Sequence, residues 1–391
     1  MAEARLRNID GLKGVLLFLV IIGHVLQGKV DQHFGRYVIY SFHMPLFIGI
    51  SGYLFSIEKM RALDLKGFLE KYFLRVLLPW TLAMLVFAWY LGGFNANPRD
   101  WSILNGGRNL THLQSWSHYI LQPYYHLWFV PAYLFWSFVV WIFIKFGFDR
   151  VKLLITGVAV GLIFFWIKNE YRDFFTPYLG PELGGSVLWT LRLFYFLFFV
   201  LGIFLRGLPP RGHNRSVTDR SHPSIAGSNP QKPPSFTLNP LGSQLKNPVF
   251  IKAENPTENK LAGPKNTVFW SCGVGFLLLY WSFFWTISNP HEYVNAKDGI
   301  MIIGNVLFMV WLFGMMRIDA LPKVAWIEWL GANSLGMYLW HVLPLLMIKD
   351  WMGTNHLYSF YGCVFMAELL LFGLFILIKR NRVTSLAFLG V

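Results

Sequence analysis

Apolar residues along this chain are gathered into long runs that short polar segments separate. A helix that crosses a membrane needs about 20 mostly apolar residues, and ten runs come close to that length. These runs are 10–28, 38–57, 74–94, 126–146, 151–168, 187–206, 267–287, 299–316, 332–349 and 359–378. The pattern predicts an all-α, polytopic membrane protein with about ten transmembrane helices.

Composition and charge support this prediction. Charged residues make up 14% of the 391 residues and hydrophobic residues 55%, whereas an ordinary soluble domain is about 25% charged. The formal net charge is +14, but the basic residues cluster between the apolar runs, as in loops that face the cytoplasm. We therefore expect membrane lipid around the chain and no nucleic-acid partner.

The distribution of lysine and arginine predicts the orientation. If the N-terminus is cytoplasmic, 25 of the 34 Lys and Arg residues fall in the inner segments, and without the longest loop these segments still hold 16 against 9 in the outer segments. The positive-inside rule then places both termini in the cytoplasm. No small-residue cleavage site follows the first run, so we expect that helix to be retained.

One long polar segment divides the chain. Residues 207–266 are rich in Pro, Asn and Ser and have no helical period, which predicts a mostly disordered cytoplasmic linker. This linker separates six helices in residues 1–206 from four helices and a short cytoplasmic tail in residues 267–391. Its basic residues fit either a simple tether or a segment that lies along anionic lipid.

The first run, "IDGLKGVLLFLVIIGHVLQG", contains two ionisable residues, Lys13 and His24. On a helix they lie about 20° apart on one face and about 16 Å apart along the axis. Asp10 is close enough to pair with Lys13. Ionisable groups within a membrane helix indicate a functional site. Lys13 also fits snorkelling to the interface, and His24 also fits a packing hydrogen bond between helices.

Three more histidines are predicted at the outer depth of His24. They are His43 in the second run, His126 at the start of the fourth and His341 past the middle of the ninth. A histidine cluster fits acid–base chemistry near neutral pH. Each alone also fits a satisfied core or interfacial histidine, His126 most of all. No carboxylate lies near them in sequence, so we expect no metal site.

Basic residues also precede the third run, in "KGFLEKYFLRVLLPW". Lys71 and Arg75 are four residues apart and share one helix face. Anchoring at the cytoplasmic surface explains Lys66, whereas Arg75 is placed where a phosphate group could be bound.

Five segments occur in a characteristic order: "DGLKGVLLFLVIIGH", "FHMPLFIGISGYLF", "KYFLRVLLPW", "HLWFVPAYLFW" and "LGANSLGMYLWH". Together they resemble the acyltransferase 3 family of integral membrane O-acyltransferases, in particular its fucose 4-O-acetylase-like branch. The family's signature is a basic residue, ten intervening residues and a histidine. Most members have arginine at the basic position, where this chain has Lys13, which keeps the charge but loses the bidentate fork.

The resemblance implies transfer of an acyl group, usually acetyl, from cytoplasmic acetyl-CoA to a hydroxyl of a cell-surface or lipid-linked glycan. It implies a multi-pass protein, which we place in a bacterial inner membrane. His24 is then the catalytic residue and general base, although a transient acyl-histidine remains open. Lys13 and Arg75 are expected near the nucleotide end of CoA, together with Lys71.

Four further residues are expected to bind the acceptor or the oxyanion: His43, Asn333, Ser334 and His341. Asn333 and Ser334 fit a helix cap equally well. The alternative function is a transporter or flippase of lipid-linked saccharides with a histidine proton relay. Such proteins usually show inverted repeats, and no second "DGLKG…GH" pattern occurs. A catalytically inactive sensor is less favoured because His24 is present.

Overall fold

A computed structural model describes most of the helical part of the chain. The described residues are 2–26, 33–92, 123, 126–170, 191–208, 273–275, 277–278, 294–317, 323–353 and 357–390. Every regular element within these ranges is a helix, which confirms the all-α prediction. The described residues up to 208 and from 275 onward belong to one compact unit.

We number the α-helices in chain order. Their bounds are α1 Ala2–Val25, α2 Phe34–Leu54, α3 Ile57–Ala62, α4 Leu65–Tyr72, α5 Leu78–Gly92, α6 Phe129–Lys145, α7 Arg150–Glu170, α8 Phe196–Gly207, α9 Val294–Arg317, α10 Ala325–Ala332, α11 Ser334–Trp340, α12 Val342–Met352, α13 Leu357–Ile378 and α14 Arg382–Leu389. A π-helical segment, Phe73–Leu77, joins α4 to α5, and a 3-10 turn, Leu193–Tyr195, leads into α8.

Four helical segments of the described chain are long and apolar enough to cross a membrane: Arg7–Val25, Phe34–Leu54, Leu65–Tyr90 and Tyr358–Ile378. Shorter apolar helices cover Phe129–Lys145, Leu193–Gly207 and Met301–Met316. The chain is therefore an integral membrane protein. The number of ten crossings and the orientation of the termini stay predictions. The predicted run 267–287 and the predicted linker 207–266 fall mostly outside the described residues.

Two of the predicted runs differ from simple helices. In place of one helix over 332–349, the structure has α11 and α12, with junctions at Asn333 and His341. Pro344 lies in the first turn of α12, and its missing N–H removes a helical hydrogen bond there. The third run begins earlier than predicted, at Leu65, and is π-helical around Arg75. Such π-segments are frequent at functional sites.

Glycines allow α1 and α10 to touch backbone to backbone. A Cβ atom on Gly331 would collide with the carbonyl group of Asp10, and one on Gly14 would collide with that of Ile327. Small residues at such crossings let membrane helices approach closely. The crossing holds the helix of Lys13 and His24 against the segment that leads to His341.

A salt bridge also joins the two helices of this crossing, near the N-terminal end of α1. The Nε atom of Arg7 in α1 lies 3.0 Å from Oε2 of Glu328 in α10. A second hydrogen bond, 3.3 Å long, joins Nη2 of Arg7 to Oε1 of the same carboxylate. Since both oxygens are engaged, this arginine–carboxylate pair fixes the rotation of the two helices as well as their distance.

The C-terminal helix α14 packs into the bundle rather than extending away from it. Leu389 is fully buried, and the indole N–H of Trp340 donates to the carbonyl group of Phe388 over 3.1 Å. Gly390 has a φ of 72°, and a Cβ atom there would meet the carbonyl group of Arg75. The predicted cytoplasmic tail is therefore helical, and it links the π-segment of Arg75 to the helix that precedes His341.

Candidate active site

The two ionisable residues of the signature lie on α1, as the pattern predicts. The Nζ atom of Lys13 is 2.8 Å from Oδ1 of Asp10, so the predicted ion pair is formed. His24 lies in the last turn of α1 and is partly exposed.

Three histidines from distant parts of the chain meet at the end of α1. The ring centroids of His24 and His341 are 5.2 Å apart, those of His126 and His341 5.1 Å, and those of His24 and His126 6.3 Å. We call these three residues the histidine cluster. The structure thus brings together His24 and His341, which sequence analysis selected, and adds His126, whose role it left open.

Tyr40 connects His43 to the histidine cluster. Its hydroxyl group lies 2.9 Å from Nδ1 of His24, and its ring centroid is 5.0 Å from that of His43. The guanidinium group of Arg36 lies 5.2 Å from the centroid of the Tyr40 ring. Sequence analysis missed Tyr40, because aromatic residues near helix ends are common in membrane proteins. Its spacing of three residues from His43, on one helix face, was the available signal.

Hydrogen bonds to the backbone orient two of these rings. The Nδ1 atom of His341 lies 2.9 Å from the carbonyl oxygen of Tyr338 and 3.1 Å from that of Met337. The Nδ1 atom of His43 lies 2.7 Å from the carbonyl oxygen of Ile39. A carbonyl only accepts hydrogen bonds, so Nδ1 donates in both residues. In the neutral rings the lone pair is therefore on Nε2.

His126 is hydrogen-bonded through its other ring nitrogen, Nε2. Its Nε2 atom lies 3.1 Å from the carbonyl oxygen of Leu339 and donates to it, while the Tyr338 hydroxyl donates to the backbone carbonyl of His126 over 2.5 Å. These two bonds join the start of α6 to α11. His126 is thus a buried histidine with a backbone partner, as one reading of the sequence had it, and at the same time a member of the histidine cluster.

The basic residues that the sequence predicts on the cytoplasmic side form a separate group. Lys71 is close enough to Lys59 and Arg75 for their charges to interact. Lys71 lies 3.8 Å from the sulfur atom of Met60, and Arg75 is exposed in the π-segment. Among the described residues no interaction joins either of them to Lys13. We call Lys59, Lys71 and Arg75 the inner basic group.

A carboxylate also lies close to this group, outside the candidate membrane spans. A hydrogen bond from the backbone, together with the Ser56 hydroxyl and the Arg150 guanidinium, holds the pKa of Glu58 below its usual value. Arg150 is 2.6 Å from this carboxylate. The pair ties α3 to α7, so Glu58 is already occupied and leaves the inner basic group positively charged.

Among the described residues, no hydrogen bond or ring contact joins Asn333 or Ser334 to the histidine cluster, and their place in the acceptor site stays a prediction. Asn333 is eight residues before His341, about 12 Å along a helix. Its Nδ2 atom donates to the carbonyl group of Trp329 over 2.7 Å, and it makes no side-chain capping bond to α11. Its Oδ1 atom is buried and accepts no hydrogen bond from the described residues. Both residues are buried.

No group of three or more His, Cys, Asp or Glu side chains in the described part of the chain is arranged to hold a metal ion. In each ring of the histidine cluster one nitrogen is hydrogen-bonded, to a backbone carbonyl or to Tyr40. Imidazoles, a phenol and backbone acceptors in contact suit proton transfer.

A family model described as an acyltransferase domain matches residues 6–378. The chain belongs to the acyltransferase 3 family. The matched region includes the histidine cluster, Tyr40 and the inner basic group, and it ends before α14. This confirms the resemblance that the five sequence segments indicated.

Two relatives were found among curated proteins. The nodulation protein NolL of Mesorhizobium japonicum is 40% identical over 19% of this chain and 24% of its own length. NolL of Sinorhizobium fredii is 44% identical over 14% of this chain and 18% of its own length. The chain thus spans a quarter or less of the relatives it matches. No solved structure matches it.

Proposed function

We propose that this protein is a membrane O-acyltransferase of a bacterial inner membrane. It moves an acetyl group from cytoplasmic acetyl-CoA to a hydroxyl of a cell-surface or lipid-linked glycan. The observation that carries this proposal is the histidine cluster, in which the signature residue His24 contacts His126, His341 and Tyr40. Family membership gives the reaction class, and the cluster supplies groups able to move the proton.

The inner basic group is the proposed site for the phosphates of CoA. Lys59, Lys71 and Arg75 place three positive charges at one end of the bundle, and a cluster of cations suits the diphosphate and the ribose phosphate. Lys13 lies on α1 below His24 and adds a fourth positive charge, although Asp10 partly balances it.

Asn333 suits the pantetheine arm. Its Oδ1 atom is a buried acceptor that no described residue engages, and the arm carries two amide N–H groups that need acceptors once they leave water. Because Asn333 directly precedes α11, whose other end leads into His341, an arm that follows this helix would bring the thioester toward the histidine cluster.

The proposed chemistry uses His24 as the general base. With the proton on Nδ1, His24 donates to the Tyr40 hydroxyl, and Nε2 has the lone pair. The acceptor hydroxyl loses its proton to Nε2 as its oxygen bonds to the thioester carbon. The carbon–sulfur bond then breaks, and the proton passes to the CoA thiolate. His43 and Ser334 remain candidates for contacts with the acceptor.

The experiment compares surface glycans from a wild-type strain and a strain that lacks this gene by mass spectrometry. An acyltransferase predicts the same glycans in both strains, with acetyl groups missing from the deletion strain. Complementation with the wild-type gene should restore them. A transporter or flippase would instead reduce the amount of surface glycan itself, and identical acetylation in both strains would contradict the proposal.

A further inference from the structure

The Nε2 atom of His341 is a buried polar atom without a hydrogen bond. The side chain is 1% exposed, and no described residue donates to or accepts from Nε2. Buried polar atoms in native proteins almost always have a partner, so an exception calls for an explanation. A second state of the site, in which Nε2 does have a partner, is one such explanation.

The protonation of His341 is set by its own helix. Its Nδ1–H donates to the carbonyl groups of Met337 and Tyr338, so the lone pair of the neutral ring is on Nε2. This lone pair can accept a hydrogen bond without any change in the backbone. His341 is therefore a preformed acceptor inside the histidine cluster.

His24 is the ring neighbour that can supply the hydrogen. Once it has taken a proton, both of its nitrogens are donors, and the Tyr40 hydroxyl can accept from Nδ1. The centroids of His24 and His341 are 5.2 Å apart, close to the separation of two imidazoles joined by an N–H···N bond of about 3 Å. His126 is not equivalent, because its Nε2 atom donates to Leu339.

We propose that His341 is a positioning residue that stabilises the protonated form of His24. This inference rests on the proposed function. Nε2 of His24 takes the proton from the acceptor hydroxyl, and the new N–H is shared in a bifurcated hydrogen bond with Nε2 of His341 while the oxygen–carbon bond forms. The proton then moves to the CoA thiolate as the carbon–sulfur bond breaks, so no proton is gained or lost over the cycle.

The surroundings of His24 make such an acceptor useful. Among the described residues, the titratable and charged groups near the two rings are Arg36, Tyr40 and His43 from α2, His126 from the start of α6 and Tyr338 from α11. None of these is a carboxylate. The positive charge of Arg36 disfavours protonation of His24. A charge-assisted hydrogen bond from protonated His24 to the lone pair of His341 offsets this repulsion.

The test uses full-length protein in native membranes with radiolabelled acetyl-CoA, and it counts label in surface glycan across the pH range in which imidazole titrates. His341→Leu removes the acceptor, and His341→Gln keeps an acceptor oxygen. His33→Asn is the control, because His33 is outside the cluster and caps α2 through its side chain, a role that asparagine also fills.

We expect His341→Leu to lower kcat about 10- to 100-fold while KM for acetyl-CoA stays unchanged. The acidic limb of its pH profile should move to lower pH, because the protonated base has lost a stabilising partner. His341→Gln should recover part of kcat, and His33→Asn should behave as wild type. A purely structural role predicts lower thermal stability in both His341 variants and an unmoved acidic limb.

Two outcomes would overturn the inference. One is a His341→Leu protein with wild-type kcat and a wild-type acidic limb. The other is equal loss of kcat in the Leu and Gln variants with an unchanged acidic limb. Either result leaves the proposed function standing as long as wild-type membranes transfer the label. Failure of wild-type protein to acetylate any glycan would instead contradict the proposed function itself.

Discussion

The hydroxyl group of Tyr40 lies 2.9 Å from Nδ1 of His24. This contact joins α2 to the signature histidine of α1 and leaves the Nε2 edge of the imidazole for the reaction. In catalytic triads a carboxylate is hydrogen-bonded to the histidine and orients it. In this protein the phenol of Tyr40 makes that hydrogen bond. A neutral partner holds the ring without adding charge in a region where desolvation makes charge costly.

Replacing Tyr40 by phenylalanine should slow acetyl transfer. The aromatic ring and its packing stay, but the hydrogen bond that orients His24 is lost. We therefore expect kcat to fall about 10- to 100-fold, the effect seen when a group that orients a metal-binding histidine is removed. The rate of label transfer from acetyl-CoA to glycan measures this effect. Tyr358→Phe is the matched control, because Tyr358 on α13 is 93% exposed. Equal rates in both variants would show that Tyr40 does not orient the base.

Substitution of Gly331 by alanine should disrupt the crossing of α1 and α10. A methyl group there would collide with the backbone carbonyl of Asp10, and overpacking of this kind costs about 1–3 kcal/mol. We expect a lower melting temperature in detergent and less acetyl transfer, because α1 carries His24. Gly373→Ala in α13 is the control, since nothing lies within 4 Å of its added methyl group. A Gly331→Ala protein as stable as this control would contradict the account of the crossing.

Charge at Lys13 should matter more than side-chain shape. Lys13→Arg keeps the pair with Asp10 and should retain most of the activity, whereas Lys13→Glu places two carboxylates together and should abolish transfer. The ion pair itself contributes only about 0.2–0.5 kcal/mol, so both variants should be as abundant in the membrane as wild type. Immunoblotting measures this abundance, and KM for acetyl-CoA measures whether donor binding has changed. Equal activity in all three proteins would reduce Lys13 to an interfacial anchor.

Shortening the segment between residues 210 and 264 should leave acetyl transfer nearly unchanged. These residues lie outside the described part of the chain, whereas every residue of the histidine cluster belongs to the unit formed by Met1–Pro209 and Gly275–Val391. Loop-closure free energy varies slowly with length, by about 0.6 kcal/mol for each doubling. The deletion, bridged by a flexible polar linker, is compared with wild type at equal abundance. A collapse of activity would mean that the segment contacts CoA or a partner.

The sequence predicted the helices well because hydropathy reports burial in the membrane directly. Nine of the ten predicted runs overlap helices of the structure, and the shared depth of four histidines anticipated the contact between His24 and His341. Each of these predictions depends only on the position of a residue along its own helix.

What the sequence could not show depends on contacts between helices. The partner of His24 is a tyrosine sixteen residues away on another helix, and nothing in the local pattern separates it from interfacial tyrosines. The π-segment at Arg75 faces Gly390, which is more than three hundred residues later. Asn333 and Ser334 were expected in the acceptor site because of their place in one run; the structure breaks that run at Asn333, which the apolar pattern does not show, and their role stays a prediction.

The central claim is that His24 performs the proton transfer of an O-acetylation, and one variant tests it most directly. Glycans from a strain that expresses His24→Ala at wild-type abundance are compared by mass spectrometry with those of the wild type and of the Tyr358→Phe control. General-base catalysis contributes about 10²- to 10⁴-fold to rate, so the account predicts that acetyl groups disappear from the glycans of the His24→Ala strain alone. Wild-type acetylation in that strain would contradict it.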